Sequence, residues 1–306
     1  MFALLILNAF SALATGKSKF LGNIIASSVP SNWDDYWNQV TAENGCKWES
    51  VEGSRGSYNW AQCDVAYNHA KSAGIPFKYH TFVWGSQEPS WIGGQSQSDQ
   101  KAAIDALIKA AAAHYTNPVP DYIDVVNEAL HAPSSIRAAL GGDGSSGWDW
   151  IIYAFKQARA SFPSSKLLIN EYGIINDGQE IQKYLQIVKA IQSGGSGLID
   201  GIGIQSHQFN INDLSASTIT TNLGTLAGSG LPIYVSELDI NANSETEQST
   251  IYQRAFPALW EHSGVKGITL WGYITGQTWK DGTGIVESNG NERAALKWLK
   301  TYLSSH

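Results

Sequence analysis

Apolar residues gather along the 306-residue chain into eight short runs bounded by Gly, Pro or Asn, over 19–25, 45–51, 76–84, 121–128, 166–172, 199–207, 232–239 and 267–273. Runs of this length with such boundaries predict buried strands. Helix-like stretches alternate with them, over 31–43, 60–73, 98–115, 148–161, 178–193, 215–228, 245–262 and 291–303. Ser98-Asp-Gln-Lys, Asp213 to Ser217 and the capping box Ser244-Glu-Thr-Glu247 mark helix starts. Gly74, Gly194 and Gly264 stand where left-handed helix ends are expected. Strand and helix in strict alternation with short connections demand a parallel sheet, and eight such units close into a (β/α)8 TIM barrel of the α/β class. A doubly wound open sheet is the alternative. No linker, low-complexity segment or short repeat interrupts the pattern, so 17–306 is expected to be a single domain.

Two of the apolar runs end in glutamate: Asp121-Tyr-Ile-Asp-Val-Val-Asn127-Glu128 and Pro232-Ile-Tyr-Val-Ser-Glu237-Leu-Asp239. A carboxylate at the carboxyl end of a barrel strand sits at the rim, where a ligand reaches it. The fourth and seventh strands lie on opposite sides of the mouth, so Glu128 and Glu237 would face each other. Such a pair is the minimum machinery for breaking a glycosidic bond. Other polar and aromatic residues crowd the same strand ends: His80, Trp84, Asn170, Glu171, Gln205, His207 and Trp271.

Composition narrows the field. The formal balance is -7 and only 15% of residues are charged, which argues against a phosphate-backbone partner and hence against nucleic acid. Twelve tryptophans exceed ordinary packing needs, and indole faces suit the apolar faces of sugar rings. Trp33, Trp37, Trp60, Trp260 and Trp298 fall in helix segments and read as core. The apolar stretch Met1 to Ala14 is too short to span a bilayer, so no membrane association is expected. Phe2 to Leu7 followed by Ala12-Leu-Ala14 has the apolar part and small-residue cleavage region of a secretory signal, without a preceding Lys or Arg. Residues 1–16 therefore read as a signal remnant or as an ordinary start. Cys46 and Cys63 are the only cysteines, compatible with one disulfide in an exported protein or with two buried thiols.

Several segments together resemble glycoside hydrolase family 10, the endo-β-1,4-xylanases, from Lys19 to the last helix. Thr41-Ala-Glu-Asn44 with Lys47 is similar to the family's glycone-binding segment. Tyr79-His-Thr-Phe-Val-Trp84, followed by Gln87, Pro89, Ser90 and Trp91, resembles its third-strand signature. Asp124-Val-Val-Asn-Glu128 resembles the acid/base motif, Ser236-Glu-Leu-Asp239 the nucleophile motif, and Asp200-Gly-Ile-Gly-Ile-Gln205-Ser-His207 the sixth-strand motif.

The resemblance implies a retaining enzyme. Glu237 attacks the anomeric carbon while Glu128 protonates the departing oxygen, and Glu128 then serves as base when water hydrolyses the glycosyl-enzyme ester. Retention calls for carboxyls roughly 5 to 5.5 Å apart. His207 would hold Glu237 ionised, with Asp239 as partner, and Asn127 would bond the sugar 2-hydroxyl. Glu43, Asn44, Lys47, His80, Trp84, Gln87, Asn170, Tyr172, Gln205, Trp271 and Trp279 would bind substrate. The implied partners are xylan and xylooligosaccharides, with no cofactor and no metal, and the protein is expected to be secreted and monomeric.

The chain departs from the family pattern at Gly85, where a second His is usual, at Ile123, where Trp is usual, and at Asn170-Glu-Tyr-Gly173, where Asn-Asp-Tyr-Asn is usual. These changes bear on leaving-side sugar contacts and on the preference for xylan over glucan. The competing readings are a metal-dependent barrel hydrolase using His80, His207 and a carboxylate, a barrel that binds glycan without cutting it, and a glucan-cutting or dual-specificity enzyme.

Overall fold

The computed structural model describes residues 12–306. Eight parallel strands close in chain order into a barrel: β1 (Phe20–Ile25), β2 (Val40–Ala42), β3 (Phe77–Val83), β4 (Tyr122–Asn127), β5 (Lys166–Glu171), β6 (Gly201–Ile204), β7 (Ile233–Leu238) and β8 (Val265–Leu270). β8 returns to β1 with Gly267 opposite Phe20 and Leu270 opposite Asn23. The helices are α1 (Trp48–Val51), α2 (Ala61–Ala73), α3 (Gln97–His114), α4 (Asp149–Ser161), α5 (Gly178–Gly194), α6 (Gln208–Ile211), α7 (Ala216–Ala227), α8 (Glu245–Trp260) and α9 (Ala294–Ser305). A closed ring of parallel strands leaves no unpaired sheet edge and turns every strand's carboxyl end to one face.

The expected second strand and the helix before it are misplaced. Residues 31–43 form only a 3-10 turn, Trp33–Asp35, followed by β2, while the expected strand 45–51 contains α1. The apolar positions that suggest a helix are Trp33 and Trp37, both fully buried as core plugs rather than as one face of a helix. Pairing begins early: the Asn38 side chain accepts from the Leu21 N–H at 2.9 Å, and the Val40 N–H donates to the Pro76 carbonyl at 2.9 Å. Beyond β2 the chain leaves the sheet, and Cys46 is bonded there to Cys63 on α2, with Cα atoms 4.7 Å apart. The bridge spans a sequence separation of 17, which constrains the unfolded chain by about 3 kcal/mol.

Helix ends follow local chemistry. Ser244 caps α8 by accepting from the Glu247 N–H at 3.1 Å, and the Glu247 carboxylate accepts from the Asn243 N–H at 3.1 Å. α3 starts slightly earlier than expected, with Ser96 as its cap. Gly74 ends α2 in the left-handed region at φ 66°, but Gly194 and Gly264 have no positive φ. Their smallness matters for space instead: a Cβ at Gly194 would meet Ile152, and one at Gly264 would stand 3.2 Å from the His262 ring.

Ala14 is 1% exposed and the Leu13 N–H donates to the Tyr36 carbonyl at 3.1 Å, so the start of the described chain lies against the barrel. The rest of the segment expected to be a signal lies outside the described residues. Among the described residues no helix is long and apolar enough to cross a membrane.

Candidate active site

Glu237 is the fifth residue of β7 and only 4% exposed. Both of its oxygens are engaged: Asn170 donates its amide to Oε1 at 2.7 Å, and His207 Nε2 lies 3.2 Å from Oε2. His207 Nδ1 in turn lies 2.8 Å from Asp239, which also accepts from the Trp279 indole at 2.6 Å. Burial opposes ionisation of Glu237, but the His207 hydrogen bond and the positive charges of His80, His207 and Lys78 outweigh it and bring its pKa to about 2. Burial likewise opposes the imidazolium of His207, yet the bonds and charges of Asp239 and Glu237 raise it to about 10. The three groups form one ionic unit, carboxylate, imidazolium, carboxylate.

Glu128 follows the last residue of β4 and is half-buried. It adopts φ 54°, a left-handed conformation that costs a non-glycine residue on the order of 1 kcal/mol. The turn over-determines it: its N–H donates to the Asn170 carbonyl at 2.8 Å, and its carbonyl accepts from the Ala132 N–H at 2.7 Å. Its carboxyl accepts from the Trp84 indole at 2.8 Å, the Gln205 amide at 2.8 Å and the Asn127 amide at 3.3 Å.

Asn170 and Asn127 join the two carboxyls. The Asn170 amide donates both to Glu237 and, at 2.8 Å, to Asn127 Oδ1, while Asn127 donates to Glu128. Ser236 donates to Asn170 Oδ1 at 2.6 Å, fixing which way that amide points. Gly203 on β6 makes room for it, since a Cβ there would collide with the Asn170 side chain.

Above this floor lies a cleft of about 350 Å³, bordered by Glu43, Asn44, Lys47, His80, Trp84, Gln87, Asn127, Glu128, Tyr172, Gln205, His207, Phe209, Glu237, Trp271 and Trp279. Every residue expected at the site is therefore gathered here except Asn170 and Asp239, which lie beneath and bind those that line it. On the β2 and β3 side Lys47 bonds Asn44 at 2.7 Å and Gln87 at 2.9 Å, and its ammonium sits 4.7 Å from the Trp84 ring centre. Burial lowers the pKa of Lys47, against the pull of Glu237, Glu43 and Glu128. Burial raises that of Glu43, against the pull of Lys47.

Four residues of the site escape sequence reasoning. Phe209, 53% exposed, stacks on His207 with ring centres 5.6 Å apart. Lys78 and Asp124 form a buried ion pair at 3.0 Å beneath His80, whose Nδ1 lies 2.9 Å from the same carboxylate. His131 lies 2.9 Å from the buried Glu171. For the ion pair a signal existed, since a Lys and an Asp inside two apolar runs need partners.

The departure at Gly85 has a steric cause, whereas nothing in the structure explains the one at Ile123. The Gly85 N–H donates to the Ala132 carbonyl at 2.9 Å, and any Cβ at 85 would collide with the carbonyl oxygens of Ala132 and Pro133. The turn after Glu128 occupies the space a side chain would need. His80 and His207 pair with different carboxylates, Asp124 and Asp239. Among the described residues no group of three or more His, Cys, Asp and Glu could hold a metal ion.

A closed parallel barrel with two carboxyls joined across its mouth defines a glycosidase architecture. The family model "Glycosyl hydrolase family 10" matches residues 6–302, and the chain belongs to that family. It is 39% identical over 285 residues to endo-1,4-beta-xylanase B of Cellvibrio japonicus, covering 92% of this chain and 45% of that protein. It is 34% identical over 255 residues to endo-1,4-beta-xylanase D of Talaromyces funiculosus, covering 81% of this chain and 62% of that one. The chain thus spans about half to three fifths of the length of these relatives. The crystal structure of native xylanase 10B from Thermotoga maritima superposes with TM-score 0.84 at 23% identity, covering 97% of this chain and 98% of that one.

Proposed function

We propose that the protein is a secreted, monomeric endo-β-1,4-xylanase that cleaves internal bonds of xylan and xylooligosaccharides with retention. The observation that carries this reading is the Asn127–Asn170 bridge, which ties Glu128 and Glu237 to one floor from opposite strands. The substrate class follows the relatives, both named as endo-1,4-beta-xylanases. Endo action is supported by polar groups at β2 and β3 on one side of the carboxyls and by Tyr172 and Phe209 on the other, so that sugars can be held on both sides of the cleaved bond.

Glu237, ionised at any ordinary pH, attacks the anomeric carbon as the glycosidic C–O bond breaks and Glu128 gives its proton to the departing oxygen. Water then adds to the anomeric carbon, Glu128 takes its proton and Glu237 leaves as carboxylate. In this reading Asn127 bonds the sugar 2-hydroxyl, an interaction that strengthens as charge develops on the ring. Lys47, Asn44, Gln87 and Glu43 orient the glycone, and Trp84, Trp271 and Trp279 supply flat apolar surface.

Export is supported by the Cys46–Cys63 bond. The monomeric state is supported by the sparse apolar surface: among the described residues the exposed large hydrophobics are Val29, Val119, Phe209 and Trp279, the last two belonging to the cleft. Proton NMR of products formed from linear xylan tests substrate, bond position and stereochemistry together. β-Configured internal fragments are expected, and initial α-anomers or no turnover would refute the reading. Faster initial rates on carboxymethyl cellulose than on xylan would move the substrate to glucan.

A further inference from the structure

We propose that His131 is a positioning residue for the sugar on the leaving side of the cleaved bond, holding the ring of Tyr172 as a fixed platform; the inference rests on the xylanase reading above. His131 lies three residues beyond Glu128, and its N–H donates to the Glu128 carbonyl at 3.2 Å. Carboxylates face both ring nitrogens: Nδ1 is 2.9 Å from Glu171 Oε1 and Nε2 is 3.9 Å from Glu180 Oε2. Glu171 is itself fully buried and anchored by the backbone N–H groups of Leu130 at 2.8 Å and Tyr172 at 3.0 Å.

The imidazole held in this way stacks on Tyr172, with ring centres 4.1 Å apart and planes at 25°. Phe209 meets the Tyr172 ring edge-on at 5.9 Å and 82°. The tyrosine, which borders the cleft, is thus backed on one face and braced at its rim. A platform that cannot rock loses less freedom when a sugar settles on it.

Both departures from the family pattern in this segment touch His131. The longer Glu171 side chain reaches its Nδ1, and Gly173, at φ 73°, leaves it room, since a Cβ there would stand 3.3 Å from its Cε1. Glu171, Gly173 and His131 therefore act as one arrangement.

The test compares wild type, H131A, H131Q and G173A on xylopentaose, which puts sugars on both sides of the bond, and on 4-nitrophenyl β-xylobioside, whose leaving group is no sugar. For H131A, KM on xylopentaose should rise about tenfold with little change in kcat, while kcat/KM on the aryl substrate stays within about twofold. H131Q can keep the bond to Glu171 but has no ring, so it should behave like H131A, and G173A should shift KM in the same direction. Equal losses on both substrates, restoration by H131Q or an unchanged KM on xylopentaose would each overturn the inference. Wild-type inactivity on both substrates would overturn the xylanase reading and this inference with it.

Discussion

Glu237 and Glu128 stand at the ends of β7 and β4 and share one amide bridge, yet the barrel surrounds them differently. Glu237 is buried, within the span of β7, and locked to an imidazolium that keeps it charged. Glu128 is half-exposed, in a left-handed turn, and held only by neutral donors from Trp84, Gln205 and Asn127. Under the proposed mechanism two chemically identical side chains divide the work of attack and proton transfer because their neighbours differ, one locked to an imidazolium and the other bonded by neutral donors and half-exposed.

The sharpest way to break the comparison is Glu237→Gln, which replaces the carboxylate with a neutral amide of nearly the same shape. Turnover of xylan should fall by on the order of 10^4-fold or more, measured as reducing-end release. Next, Glu128→Ala should slow xylan by about 10^2- to 10^4-fold but cost far less with activated aryl glycosides, and azide should restore activity through a β-configured product. Equal losses on both substrates would leave no distinction between the carboxyls.

His207→Ala tests what holds Glu237 charged. Without its partner the carboxylate should protonate at higher pH, so the acid limb of kcat/KM should move upward from its wild-type position. Stability should follow the same ionic unit. The contribution of Glu237, whose pKa is depressed from 4.5 to about 2, is complete above pH 4.5 and lost as pH falls through 2. That of His207, raised from 6.5 to about 10, is complete below pH 6.5 and lost as pH rises through 10. Thermal unfolding across pH should therefore show this contribution at its fullest between those two ordinary values and absent from the variant. The smallest effect on the carboxyls is expected from replacing Cys46 and Cys63 together by Ser. Stability should drop by about 3 kcal/mol with kcat nearly unchanged, because the bridge braces the β2 loop and not the floor of the site.

β4 and β7 were legible because their apolar runs are continuous and end in charge, and the positions of both glutamates follow from that alone. The segment 31–51 was not, because Trp33 and Trp37 have helical spacing but are buried as separate plugs by rings from distant parts of the chain, His69 and Tyr273, and the apolar run over 45–51 holds one short helical turn, too brief to show a period. The Lys78–Asp124 pair left a signal, two charges inside apolar runs, but not its pairing, and the His131–Glu171 pair left neither: each joins neighbouring parts of the barrel, and spacing along one strand does not encode the residue opposite. Phe209 lies on a single helical turn, too short to show periodicity.

The left-handed backbone at Glu128 carries a cost that every substitution there except one must also bear. Alanine at that position would inherit the unfavourable φ, whereas glycine would not, so the usual order of the two should reverse, with the glycine variant melting above the alanine variant. Heat tolerance and activity thus compete at a single α-carbon, and selection for thermal endurance alone would drift this position toward the one residue that has no side chain with which to move a proton.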